Sequence, residues 1–151
     1  MTHTKLSTSC IIEHAGKILM VREEQEGRIA WDIPAGGLDE GETIYEGVIR
    51  EVYEESGLSL NNPIHKKVLQ YIEKGRTTVN FLFHVELMDK PQIHTLNQDT
   101  DEEILDIDWF SREQVKKMIM SSETENNLAT ARLQSWIEDF ENNDFVQVIR
   151  E

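Results

Sequence analysis

Three glutamates are spaced so that their carboxylates would lie on one side of a helix. Glu51, Glu54 and Glu55 belong to a segment, from about Thr43 to Ser56, whose apolar positions recur at helical spacing. At about 100° per residue, the three carboxylates fall within an arc of roughly 100°. Like charges held this close repel one another, so the arrangement favours a compensating cation. Oxygen-only ligands suit magnesium or manganese, and magnesium usually also binds the phosphates of a substrate.

The alternative explanation is an acidic helix face that is simply solvated, which is the usual role of such runs. That explanation does not account for the neighbours of the acids. A glycine loop, Gly36-Gly37, precedes the helix, and Arg50 lies beside the acids in the sequence. We therefore interpret the face as the ligand set of a hard divalent cation.

The predicted helix has identifiable ends and a side that should be buried. Thr43 can cap its N-terminus, and Gly57 can end it in a left-handed conformation. The arc beside the carboxylates is apolar and is expected to face the core; it consists of Tyr45, Val48, Ile49 and Val52.

The spacing of the whole segment resembles the complete signature of the Nudix hydrolases. Gly36 is followed after five residues by Glu42, after seven more by Arg50-Glu51, and then by Glu54-Glu55 and Gly57-Leu58. No position departs from that pattern. The resemblance implies hydrolysis of a nucleoside diphosphate linked to another group, with two or more Mg²⁺ or Mn²⁺ ions as cofactors. It also implies that a carbonyl of the glycine loop binds metal, and we assign this role to Gly36.

The same resemblance implies a further acid outside the segment. Family members often carry a glutamate six residues before a tryptophan strand, and counting back from Trp109 gives Glu103. This glutamate would be a metal ligand, a general base or both. Asp99, Asp101 and Glu102 crowd the same stretch, so the alternative is that Glu103 is solvated as they are.

The predicted site therefore contains few residues. The expected metal ligands are Gly36, Glu51, Glu54, Glu55 and Glu103. The residues expected to act in catalysis are Glu51, Glu54, Glu103 and Arg50, of which Arg50 orients carboxylates through charge-assisted hydrogen bonds. Glu42 has three open roles: a further cation ligand, a helix cap or the partner of an arginine.

The order of elements predicts an α/β fold. Strands are expected at about residues 6–13, 17–22, 28–33, 64–73, 77–88, 104–110 and 145–149, and helices at 43–56, after Ser111 and at 127–142. In the fifth strand Phe81 and Phe83 alternate with Leu82, which indicates that both faces of the sheet are covered. This order is similar to the Nudix fold, an α/β/α sandwich with a mixed sheet between helices. We expect one such domain over residues 1–151.

The charge and composition of the chain limit the kinds of molecule that it is expected to bind. The chain carries 15 Lys and Arg against 29 Asp and Glu, a net charge of −14. Such an acidic protein is not built to bind a nucleic-acid polymer or an anionic membrane by charge. The sequence shows no signal peptide or membrane-spanning run, and its single Cys10 excludes an internal disulfide and fits a reducing cytoplasm. We expect a cytoplasmic monomer or homodimer that acts on a small nucleotide or pyrophosphate.

The substrate class rests on resemblance alone. The chain length and the Pro34-Ala35-Gly36 sequence resemble the small NudJ-type phosphatases of the Nudix family, which act on nucleoside di- and triphosphates and on a thiamine-precursor pyrophosphate. The alternative is a non-catalytic module that binds nucleotides or phosphate ligands. Such relatives commonly lose the acids of the signature, and this chain keeps all of them. It has no Walker-type loop and no serine or cysteine nucleophile motif.

Overall fold

The computed structural model describes residues 4–25, 27–94, 103–124, 126–138, 140–141 and 146–151, with the backbone alone at Gln25 and Glu103. Within these ranges the strands are β1 (Thr4–His14), β2 (Lys17–Gln25), β3 (Arg28–Asp32), β4 (Ala35–Gly37), β5 (Ile64–Glu73), β6 (Arg76–Glu86), β7 (Glu103–Ser111) and β8 (Val146–Arg150). The helices are α1 (Ile44–Ser56), α2 (Arg112–Met120) and α3 (Asn127–Glu138).

The strands form one mixed sheet in the order β3-β2-β1-β6-β5-β8. β1 runs parallel to β6, and β5 runs parallel to β8, whereas β2 pairs antiparallel with β1, β3 and β7. The predicted last strand is therefore present at one edge of the sheet. β4 pairs antiparallel with the first half of β1, outside the main order.

Each face of the sheet is covered by a separate apolar cluster. On the α1 side, Val48 and Val52 pack with Cys10 and Phe83. On the other side, the cluster joins the sheet to α2 and α3 and includes Leu82, which is fully buried. The predicted α/β/α arrangement with a mixed sheet between helices is thus confirmed.

The local sequence around α1 explains where the helix begins and ends. Thr43 accepts a hydrogen bond from the Glu46 backbone, and the Glu46 side chain accepts one from the Thr43 backbone, which completes a capping box. Gly57 ends the helix at φ 77°, a left-handed conformation that glycine adopts at little cost. Both predicted ends of α1 are present.

The side of α1 that is buried differs in part from the prediction. Val48 and Val52 are fully buried, but Tyr45 and Ile49 are 50% and 37% exposed, so their predicted place in the core was wrong. The buried arc is instead shifted toward the acids, because α1 also packs on β4 through Glu51 and Glu55.

The three-residue strand β4 is what brings the glycine loop to the helix. Pro34 accepts a hydrogen bond from the Cys10 backbone, and Leu38 donates one to the Leu6 carbonyl. The loop is therefore held along β1 on both sides of Gly36.

Several predicted boundaries move by a few residues. The first long strands extend further than expected, and α3 ends at Glu138 rather than near residue 142. Glu103, expected at the end of an acidic loop, is the first residue of β7 and pairs with Glu24; residues 95–102 lie outside the described part of the chain. Among the described residues, no helix is long and apolar enough to cross a membrane.

Candidate active site

The Glu51 carboxylate lies directly against the backbone of β4. A Cβ atom added to Gly36 would come closer than 3.0 Å to the carboxyl carbon and to both carboxylate oxygens of Glu51. Only glycine leaves room for this contact. The structure thus brings together Gly36 and Glu51, two residues that the sequence assigned to one site.

Arg50 links the glycine loop to the acids of α1. Its guanidinium donates to both carboxylate oxygens of Glu42 at 2.7 and 2.9 Å, to Glu51 at 2.8 Å and to Glu54 at 3.2 Å. It also donates to the carbonyl oxygen of Gly37 at 2.9 Å. One guanidinium therefore fixes the positions of three carboxylates relative to the loop.

Of the three roles left open for Glu42, the structure supports pairing with an arginine. The hydrogen bond from Arg50 holds the pKa of the Glu42 carboxyl below its usual range, and a backbone hydrogen bond from Asp39 acts in the same direction. The same bond with Glu42 raises the pKa of Arg50, followed by its bond with Glu51. Both partners are therefore ionised across the neutral pH range.

Glu55 ties the last turn of α1 to the start of β4. It is 3% exposed, and its Oε1 atom accepts a hydrogen bond from the Ala35 backbone at 2.8 Å. Glu54, by contrast, has a side chain that is 32% exposed, toward the outer side of the site. The three acids therefore share one face of α1 but differ in how far their side chains are exposed to solvent.

Gly47 lies on the acidic arc, and its missing side chain has a structural use. A Cβ atom there would come closer than 3.0 Å to a methyl group of Leu38 and 3.1 Å from Glu42. The absence of a side chain lets the glycine loop approach α1.

The donor chemistry of this site fits a divalent cation. Every acid on the arc offers hard carboxylate oxygens, and the Glu51 carboxylate is packed on loop backbone whose own carbonyls are further oxygen donors. The side chains are not assembled as a metal cage, since no group of three or more His, Cys, Asp or Glu residues in the described ranges is arranged to hold an ion. Arg50 and the Ala35 backbone hold these oxygens instead, so cation binding requires side-chain rearrangement.

The side chain of Glu103 lies outside the described residues, so its role as a metal ligand or general base stays a prediction.

Sequence reasoning missed a buried ion pair in which Arg132 of α3 donates a hydrogen bond to Asp32 at 2.6 Å. The second oxygen of Asp32 accepts from the Ile33 backbone at 2.7 Å, so α3 anchors the chain just before the glycine loop. No local pattern could have revealed a pair separated by 100 residues.

Comparison with known proteins agrees with this geometry. Residues 3–130 match the NUDIX domain. Phosphatase NudJ of Shigella boydii serotype 4 is 34% identical over 113 residues, which cover 74% of this chain and 71% of that protein. A NUDIX hydrolase from Nitrosomonas europaea has the same fold, with a TM-score of 0.71 at 22% identity over 89% of this chain and 88% of that one.

A larger protein shares the fold over part of its length. It is a bifunctional NMN adenylyltransferase/ADP ribose pyrophosphatase from Francisella tularensis complexed with AMP and a Mn ion. Its TM-score is 0.73 at 20% identity, with coverage of 93% of this chain and 43% of that one. The domain match, the NudJ relatives and the shared fold show that this chain belongs to the Nudix family and is a Nudix pyrophosphohydrolase.

Proposed function

We propose that this enzyme hydrolyses a phosphoanhydride in a divalent-metal-dependent reaction. The substrate is a nucleoside di- or triphosphate, or a nucleoside diphosphate linked to another group. The observation that carries the proposal is the placement of the Glu51 carboxylate on the backbone of Gly36, with Glu54 and Glu55 on the same face of α1. This arrangement puts hard oxygen donors beside loop backbone that can approach a phosphate closely.

Glu51, Glu54 and Glu55 would hold the cations, two or more Mg²⁺ or Mn²⁺ ions, together with the Gly36 carbonyl. Bound divalent cations neutralise phosphate charge and lower the pKa of water. That supply of positive charge is needed here, because a protein with a net charge of −14 repels a polyphosphate.

The enzyme's own side chains position the carboxylates and supply a general base. Arg50 holds the Glu42, Glu51 and Glu54 carboxylates together beside the loop, so that only these side chains need to move when a cation binds. A glutamate accepts the proton of the attacking water, and Glu103 is the residue that we propose for this role or for a ligand role. A new P–O bond then forms as the anhydride P–O bond breaks.

The nucleotide preference rests on the NudJ relatives, since the described residues include no feature that selects a base. The Shigella protein is named a phosphatase. We therefore expect nucleoside di- and triphosphates to be turned over faster than dinucleotides. The cytoplasmic location and the single domain over residues 1–151 stay predictions.

The test is a panel of nucleotides assayed for release of phosphate and pyrophosphate, with Mg²⁺ and with excess chelator. We expect turnover with Mg²⁺ and none with chelator. Full activity in chelator would contradict the metal mechanism. Tight nucleotide binding without turnover under any condition would favour the alternative, a non-catalytic binding module.

A further inference from the structure

We propose that Thr8 is a positioning residue of the active site, whose hydroxyl donates a hydrogen bond to the Glu51 carboxylate when that carboxylate binds a divalent cation. This role rests on the proposed function, since it concerns the cation site on α1. Thr8 lies in β1, outside the segment that carries the Nudix signature, and the catalytic proposal does not use it.

The Thr8 hydroxyl is buried without a hydrogen-bond partner. Thr8 is fully buried, and in the described part of the chain its Oγ1 atom forms no hydrogen bond. An unpaired buried hydroxyl costs about 1–3 kcal/mol, and valine would fill a similar space without that cost. The hydroxyl therefore indicates a partner that a different arrangement of the nearby side chains supplies.

The two neighbours of Thr8 in β1 differ from it in this respect. Ser9 donates a hydrogen bond to the Asn80 side chain at 2.7 Å, and Ser7 accepts one from the same side chain at 2.8 Å. Because successive residues of a strand point to opposite faces, this network lies on the face of the sheet away from Thr8. Thr8 therefore needs a partner on the α1 side.

The register of β1 and β4 places Thr8 beside Glu51. Cys10, two residues further along β1, packs in the cluster on the α1 side, so Thr8 faces α1 as well. Thr8 pairs directly with Gly36, and a Cβ atom added to Gly36 would touch the Glu51 carboxylate. Since the Cβ positions of paired residues are about 4.5–5.5 Å apart, the Cβ atom of Thr8 lies within about 8 Å of that carboxylate.

A cation changes what the Glu51 carboxylate needs from its surroundings. The carboxylate now accepts a hydrogen bond from Arg50 at 2.8 Å, and the positive guanidinium competes with a cation for it. The neutral hydroxyl of Thr8 can replace this donor without repelling the ion. Carboxylates that bind metal are usually hydrogen bonded in turn, which fixes their orientation. Because Thr8 is fully buried and the Glu51 side chain is 12% exposed, Thr8 acts through Glu51 rather than on the substrate.

The first test is a calorimetric titration of Mn²⁺ without nucleotide. Thr8→Val removes the hydroxyl and should bind Mn²⁺ about 10- to 100-fold more weakly than the parent protein, whereas Thr8→Ser keeps the hydroxyl and should bind nearly as the parent does. Thr78→Val is the matched control. Thr78 is two residues from Asn80 in β6 and therefore lies on the far face of the sheet, so this variant should bind Mn²⁺ as the parent does.

The second test is the melting temperature in the presence of chelator. Thr8→Val should melt no lower than the parent protein, because valine removes an unpaired buried hydroxyl. Weaker metal binding together with undiminished stability would separate a role at the metal site from a purely structural one.

A double variant identifies the acceptor of the hydrogen bond. Glu51→Ala removes the carboxylate, so adding Thr8→Val to it should cause little further loss of Mn²⁺ affinity. An undiminished further loss would overturn the assignment to Glu51.

Equal Mn²⁺ affinity in the parent protein and in Thr8→Val would overturn the inference and leave the proposed function standing. Absence of Mn²⁺ binding by the parent protein would overturn both. A Thr8→Val variant that melts well below the parent in chelator, or fails to fold, would also overturn the inference, because the hydroxyl would then have a partner, such as a buried water, without any metal.

Discussion

Replacing Gly36 with alanine separates the catalytic role of the glycine loop from its role in folding. The new methyl group would occupy the space of the Glu51 carboxylate, so the carboxylate must leave β4. This carboxylate is the end of a flexible side chain and can move by a change of rotamer. Gly36 does not have a positive φ angle, so alanine introduces no backbone strain of its own.

The expected loss of stability is small. The displaced carboxylate gives up a charge-assisted hydrogen bond to Arg50, a loss of about 1.5–3 kcal/mol at a buried site. The Arg50 side chain is 25% exposed and keeps its two bonds to Glu42, which reduces the cost to about 1–2 kcal/mol. For a chain of this size, that lowers the melting temperature by roughly 2–8 °C.

The expected loss of activity is large. A shift of about 1 Å in a catalytic group costs roughly 10²-fold in rate, and loss of a preorganised electrostatic group costs a similar factor. Gly36→Ala should therefore lower kcat by about 10² or more. The measurements are kcat with a nucleotide that the parent protein turns over, and the melting temperature without metal.

Gly37→Ala is the matched control. A Cβ atom there would lie 3.3 Å from the end of Lys5 and 3.9 Å from the Leu6 carbonyl oxygen, and it would not reach the acids. We expect nearly normal kcat in this variant. Equal kcat in the two alanine variants would refute the argument that Gly36 exists to seat Glu51.

Three further variants test the roles of Glu42, Glu103 and Asp32. The pKa of Glu42 is lowered in the folded protein, so its contribution to stability is present above its unfolded pKa and is lost as the pH falls through the folded value. On acidification below about pH 4.5, the melting temperature of Glu42→Gln should therefore fall less than that of the parent protein. The same dependence of melting temperature on pH in both proteins would contradict this. Glu103→Gln should lower turnover by roughly 10² to 10⁴. The loss should be partly recovered at high pH if Glu103 is the base, or by excess Mg²⁺ if it is a ligand, with Asp101→Asn as the control; normal turnover would remove Glu103 from the mechanism. Asp32→Asn should destabilise the fold by about 3–5 kcal/mol in urea, because it leaves Arg132 buried without its charged partner, and a change under about 1 kcal/mol would count against that anchor.

The parts of the fold that follow from local pattern were predictable. The ends of α1 depend on Thr43, Glu46 and Gly57, which act within a few residues of one another. The shared face of Glu51, Glu54 and Glu55 follows from helical geometry alone. The short turn after β5 and the alternation in β6 are equally local, so the strand pair that they join was placed correctly.

The parts that depend on contacts between distant segments were not predictable. β4 is only three residues long, and its pairing with β1 leaves no periodic signal. The exposure of Tyr45 and Ile49 follows from the packing of α1 on that strand, which a helical projection cannot show. The register shift in β5 between His65 and Lys67 is likewise set by pairing with β6 rather than by the sequence of β5 alone.

The most direct test of the central claim is a calorimetric titration of Mn²⁺ into the metal-free protein and into single glutamine variants on α1. We predict saturable binding to the parent protein and to Glu46→Gln, since Glu46 belongs to the capping box and lies outside the acidic arc. Glu51→Gln and Glu54→Gln should each bind Mn²⁺ about tenfold more weakly or worse, because each removes a carboxylate from a hard-cation site. Equal affinity in all four proteins would show that the acidic face of α1 does not hold the ion.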